Sequence, residues 1–138
     1  MIQIKPRPRL AAVAAMALLL LAASGAQAHQ CVDVEIVRAP ESASPGSFIA
    51  VEGAATNCGD PARGFVTTWT LVSEDGNRIH LLRRAVVQVH PGRTLTGVSR
   101  LMIPRDVRPG IYQIVLTGAA PSGFTESDAV RIEITRRR

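Results

Sequence analysis

Apolar and polar residues alternate along this chain in short runs, and proline or glycine ends almost every run. Val32, Val34 and Ile36 alternate with Asp33 and Glu35. Phe48 to Ala55 follows, with Ile49 and Val51 on one face, and then Phe65, Thr67, Trp69 and Leu71 alternate. Arg78 to Val89 keeps Ile79, Leu81, Ala85, Val87 and Val89 in phase, and Arg93 to Ile103 keeps Leu95, Leu101 and Ile103. Tyr112, Ile114 and Leu116 form a sixth run, and Val130, Ile132 and Ile134 a seventh. A period of two puts alternate side chains on one face of a strand, and runs this short do not make helices. Asp75-Gly76 between the third and fourth runs is a hairpin signal. The break Ala39 to Gly46, with its two prolines, and the stretch Gly118 to Ser127 read as loops. Seven short strands with turns every 8 to 12 residues or so predict an all-β chain folded as a two-sheet β-sandwich, with a small barrel as the alternative. Its expected core holds Trp69, Phe65, Ile49, Val51, Tyr112, Ile114, Leu116, Val130 and Ile132.

The N-terminus has a different character. Lys5, Arg7 and Arg9 precede an unbroken apolar run from Leu10 to Ala23. Ser24-Gly25 ends that run, and Ala26-Gln27-Ala28 has the small-x-small form of a cleavage site. Residues 1–28 therefore read as a Sec-type signal peptide, with a bacterial periplasmic or secreted destination. The run falls short of the roughly 20 residues that a bilayer span needs, and retention as an anchor is the alternative. Cys31 is preceded by His29-Gln30 rather than small residues, which argues against lipidation. The domain organisation is a signal peptide at 1–28, a sandwich at 29–135 and a basic frayed tail at 136–138. No membrane span is expected beyond the signal.

Charge narrows the function classes. The chain carries 16 basic and 11 acidic residues, net +5. Three of the basic residues lie in the signal and three more are the terminal Arg136, Arg137 and Arg138, so residues 29–135 are close to neutral. A nucleic-acid-binding domain needs a basic stripe on a folded face, with aromatics to stack single-stranded bases. Five aromatics serve this whole chain. Nucleic acid is not an expected partner.

The only two cysteines, Cys31 and Cys58, both follow the signal. An even count in an oxidising compartment reads as a disulfide, here tying the first strand to the loop after the second. Free thiols or an intermolecular bond are the alternatives. The chain has no CxxC pair of the redox or zinc kind.

Several turn motifs resemble known domains. Val51-Glu52-Gly53-Ala54-Ala55-Thr56-Asn57-Cys58-Gly59 carries a strand followed by Asn-x-Gly. Val89-His90-Pro91-Gly92-Arg93 places a Pro-Gly turn before the fifth strand, and Arg108-Pro109-Gly110-Ile111-Tyr112 leads into the sixth. Residues 32–134 thus resemble bacterial immunoglobulin-like domains of the cell-adhesion-related (CARDB-like) and fibronectin type III-like kinds. The resemblance implies a seven-stranded immunoglobulin-like sandwich, with Tyr112 as a tyrosine corner whose hydroxyl bonds nearby backbone. It also implies an adhesive, spacer or binding module on an exported protein, meeting an unknown protein or cell-surface partner.

No G-x-S-x-G, H-E-x-x-H or Gly-rich phosphate loop is present, so an enzyme is not expected. No cofactor is expected. Glu74 and Asp75 read as solvated turn residues. His29 has a sharper alternative, because cleavage after Ala28 makes it the N-terminus. A free amine and an imidazole together suit Cu(II), with His80 or His90 as a further ligand. The chain is similar in size, and in Pro-Gly-x-Tyr, to periplasmic copper-resistance (CopC-like) proteins, but Gly118 to Asp128 lacks their late Asp-x-His. His80 and His90 are too far apart along one strand to share a site unless that strand bends. Arg83-Arg84, beside Leu82 and Val86, reads as charge guarding a sheet edge, with strand addition by a partner as the functional alternative.

Overall fold

The structure, a computed structural model, describes residues 31–59, 65–86 and 89–136. The strands are β1 (Val32–Arg38), β2 (Ser42–Ala43), β3 (Phe48–Asn57), β4 (Phe65–Ser73), β5 (Arg78–Val86), β6 (Thr94–Met102), β7 (Gly110–Ala119) and β8 (Thr125–Ile134). They form a three-stranded sheet in order β1-β3-β6 and a five-stranded sheet in order β2-β8-β7-β4-β5. No helix is present among the described residues. The signal segment, His29 and the last two tail arginines lie outside the described residues.

The two sheets pack face to face. Val32, Val34, Ile49, Val51 and Leu101 come from one sheet, and Phe65, Trp69, Leu71, Ile114, Leu116, Ile132 and Ile134 from the other. Seven of the nine expected core residues are buried; Tyr112 and Val130 are half-buried and pack against the cluster. Gly53 marks one close approach of the sheets. A Cβ at that position would lie 2.9 Å from both Leu116 Cδ2 and Trp69 Cζ2, well inside van der Waals contact. Gly118 on β7, whose Cβ would lie 2.7 Å from Val34 Cγ1, marks another.

The described chain has eight strands rather than the seven its sequence predicts. The added one, β2, pairs in parallel with the end of β8, Ser42 opposite Glu133 and Ala43 opposite Ile134. Glu133 N–H donates to Glu41 O at 2.9 Å and Thr135 N–H to Ala43 O at 2.8 Å. Two residues between prolines are too short to show alternation, so this stretch looked like a turn.

Two stretches depart from their expected phase. In β5, Trp69 pairs with Leu82 but Thr70 with His80, which leaves Leu81 as an extra residue. Such a bulge moves the residues after it to the opposite face. Ala85 is accordingly exposed, while Ile79, Leu81 and Leu82 all reach the core. In β6, Leu101 and the following Ile103 are buried as expected, but Leu95 is 46% exposed. It lines a groove between the sheets instead.

Trp69→Ala is expected to cost about 3–5 kcal/mol, the usual range for removing a large buried aromatic. Gly53→Ala should destabilise by overpacking, on the order of 1–3 kcal/mol. Gly97 pairs with Gly53 but a Cβ there meets nothing within 4 Å, so Gly97→Ala should be neutral or stabilising. Urea unfolding of the three variants checks the set. Equal behaviour of the two glycine variants would place the close approach of the sheets elsewhere.

Candidate functional site

A groove of about 190 Å³ opens between the two sheets on the side where β5 and β6 lie. Its floor is Trp69 and Leu116, and its rims are Arg84 on β5 and Leu95, Thr96 and Ser99 on β6. Small residues create it. In the β3–β6 register Gly53 faces Gly97, Ala55 faces Leu95 and Val51 faces Ser99. This inward row therefore loses bulk toward the N-terminal half of β6, and the sheets part there. Arg84 pairs with Thr67, two residues from Trp69 and so in the inward phase of its sheet. Its exposed side chain stands at the mouth, and among the described residues no carboxylate pairs with it. Among the described residues it is the one charged side chain lining the groove.

The groove lies between two strand edges. β5 and β6 end their sheets on this side, so Arg83-Arg84 does sit on an edge. β6 pairs with β3 from Thr94 to Met102 without a register shift. Its outer face carries Val98, 65% exposed, and Met102 beside Phe48. The Arg100 guanidinium lies 4.1 Å from the centre of the Phe48 ring. The other edge of the same sheet is closed. Asp128 Oδ2 accepts the Ile36 N–H at 2.7 Å, and β1 shifts register between Ile36 and Arg38.

Cys31 and Cys58 form the disulfide, with Cα atoms 5.0 Å apart. It lies at the end of the sandwich where Asn57 ties three segments together. Fully buried Asn57 donates its side-chain N–H to Val89 O at 2.9 Å, and its Oδ1 accepts the Gly59 N–H at 3.0 Å. Its backbone N–H donates to Arg93 O, and its carbonyl accepts from Gly92 N–H. The Asn-x-Gly motif is thus the knot that holds the β3 exit against the turn before β6. A disulfide fits an oxidising, non-cytoplasmic compartment.

Of the histidines expected as metal ligands, the described residues include His80 and His90, which lie toward opposite ends of the sandwich. His29 lies outside the described residues. His80 is exposed near the Asp75-Gly76 hairpin, its Nδ1 3.4 Å from Thr70 Oγ1. His90 belongs to the turn at the opposite end, where its carbonyl accepts the Arg93 N–H. Among the described residues no three histidine, cysteine or acidic side chains gather as a metal site.

Asp75 does more than solvate its turn. It accepts a short hydrogen bond from the Ser73 hydroxyl and one from Asn77 Nδ2 at 2.9 Å. The Ser73 bond, aided by backbone N–H groups, holds its carboxyl below the ordinary aspartate range. The lowered pKa means these bonds favour the hairpin in full above the ordinary aspartate range and are lost as pH falls through the depressed value.

No family model and no curated protein matches this sequence. Solved structures share the fold. A β-glucosidase from Listeria innocua, in complex with isofagomine, superposes with a TM-score of 0.57 at 15% identity over 76% of this chain and 16% of that one. A mutant of the enzyme in complex with laminaribiose gives 0.56 at 14% identity, covering 77% of this chain and 16% of that one. The sporulation control protein Spo0M from Bacillus subtilis gives 0.54 at 15% identity, over 79% of this chain and 50% of that one. This chain therefore spans about a sixth of the glucosidase and half of Spo0M, and at such identities the likeness is one of fold.

Replacing both cysteines, as Cys31→Ser with Cys58→Ser, is expected to lower stability by about 3.5 kcal/mol on the chain-entropy estimate for a loop of this length. Urea unfolding against the oxidised parent measures it. A loss under about 1 kcal/mol would mean that the Asn57 hydrogen bonds hold this end without the covalent tie.

Proposed function

We propose that this chain is an exported, non-enzymatic immunoglobulin-like sandwich that serves as a protein- or surface-interaction module. The order β1-β3-β6 over β2-β8-β7-β4-β5 supports the immunoglobulin-like, fibronectin type III-like reading. So does Tyr112, near the start of β7, whose hydroxyl donates to Arg108 O at 2.7 Å as a tyrosine corner does. The observation that carries the functional reading is the groove walled by two strand edges. Its described lining is mostly apolar, and the single titratable side chain among the described lining residues is an arginine. That chemistry suits recognition better than proton transfer, which calls for groups that titrate near neutral pH. A fold that forms only part of both longer neighbours also suits a module.

The test is in-cell photocrosslinking from the full chain, with a photoreactive residue at Val98 on the open edge or at Val37 on the closed one. Both positions are exposed. A discrete protein adduct from Val98 but not from Val37 is the expected result. Equal or absent adducts from both would sink the interaction reading.

A small copper-binding protein is the second reading, and one observation gives it shape. Cys31, two residues after His29, bonds to Cys58 at the end of the sandwich that also holds the His90 turn. His80 stands at least six residues of β5 away, about 20 Å at strand rise. A site built on His29 would therefore recruit His90. Cu(II) titration of a form beginning at His29, beside one extended by a residue, decides it. Tight binding lost on extension or in His90→Ala supports copper; equal, weak binding by all three removes it.

A further inference from the structure

The strands on either side of the groove share a charge pattern that the rest of the chain lacks. Residues 78–105 contain Arg78, Arg83, Arg84, Arg93, Arg100 and Arg105 and no aspartate or glutamate. All six arginines are exposed. The strands that pair with β5 and β6 are β4, which has no carboxylate, and β3, which has Glu52 alone. The open side of the sandwich is therefore a basic surface around a mostly apolar groove.

We infer that β6 accepts an extended acidic segment of a partner protein, added as a fourth strand to the three-stranded sheet. This deepens the interaction reading above and rests on it. Three properties of the edge select such a guest. The regular β6 ladder offers backbone N–H and C=O groups outward, and another strand can pair with them. An added strand continues the inward row of Leu95, Gly97 and Ser99, so every second guest side chain lies over Trp69 and Leu116 and should be apolar. The alternate side chains point outward on the face of Arg100, and Arg84 stands at the groove mouth. Carboxylates on the guest meet both.

Charge also decides against a second copy of this chain. Pairing β6 with β6 brings Arg100 of both copies onto one ladder beside both Arg84 side chains, with no carboxylate on β6 to offset them. Like charges across a strand pair are destabilising. β1 cannot take the guest instead, because Asp128 occupies its Ile36 N–H and would repel an acidic strand.

The probe is a soluble peptide of eight residues alternating glutamate and valine, titrated into the purified full chain and read by fluorescence anisotropy and by amide chemical shifts. One control replaces glutamate by lysine. Another keeps the side chains but N-methylates alternate backbone amides, which removes strand pairing. Heparin serves as a polyanion without a peptide backbone. The glutamate peptide is expected to shift the amides of residues 94–102 and to bind at least about tenfold more tightly than the lysine peptide at low salt. N-methylation should abolish binding. Arg84→Glu with Arg100→Glu should reverse the preference between the two peptides, a gain that a merely unfolded variant cannot produce. The inference is overturned if the N-methylated peptide binds equally, if heparin alone shifts these amides, if they shift on self-association, or if neither peptide binds. Photocrosslinks from Val98 in a chain that ignores the glutamate peptide would keep the interaction reading and discard the acidic strand.

Discussion

The indole of Trp69 sets the spacing of this molecule. It lies between the sheets against Leu116, and the opposing strand can come close only because residue 53 has no side chain. Facing sheets stand about 10 Å apart, and side chains from both must fill that gap. Here one large aromatic fills it from the five-stranded side, and β3 yields. Toward the outer strand the compensation stops. Gly97 stands where a second large side chain could, Leu95 is 46% exposed, and the sheets part into the groove. Core and candidate site are thus two ends of one row of residues.

Much of this was legible in the sequence. Alternation located every long strand, and seven of the nine expected core residues are buried, because a period of two on a half-covered sheet leaves little freedom. The misses have local causes. The bulge at Leu81 changes phase without changing composition, so Ala85 looked inward and is not. Tyr112 keeps its ring against the core but its hydroxyl on Arg108 O, which leaves it half-buried. Leu95 has the right phase and the wrong neighbours, since burial depends on what the other sheet supplies. The groove was invisible for the same reason. Arg83-Arg84 pointed to an edge, but only the strand order places β6 beside it, and only the register puts glycine opposite glycine.

The two ends and two sides of the sandwich are finished differently. At one end the disulfide, Asn57 and the turn before β6 lock together, so the chain leaving β3 and the chain starting β6 are held in fixed relation. At the other, a hairpin closed by Ser73, Asp75 and Asn77 joins β4 to β5. On one side, Asp128 covers the β1 edge and β2 covers that of β8. Among the described residues two edges are capped and those of β5 and β6 are not, so the edges are not treated alike. β5 carries the protections expected of a bare edge, a bulge and adjacent arginines; β6 is straight and presents valine.

Net charge hides the property that distinguishes this surface. Residues 29–135 hold ten arginines against eleven acidic residues, which suggests an electrically bland body. Yet six of those arginines fall within 78–105 and every acidic residue falls outside it. The segment is +6 and the remainder −7, and both belong to a body of one small domain. Fields of this kind persist over roughly a Debye length, about 8 Å at physiological ionic strength, which exceeds the spacing between neighbouring strands. An approaching chain therefore meets a local potential and not the average. Clefts with low-dielectric walls and charge of one sign concentrate that potential, and the Trp69–Leu116 floor with Arg84 at its mouth is such a cleft. The same separation repels basic segments from β6. Charge thus guards this edge against basic partners.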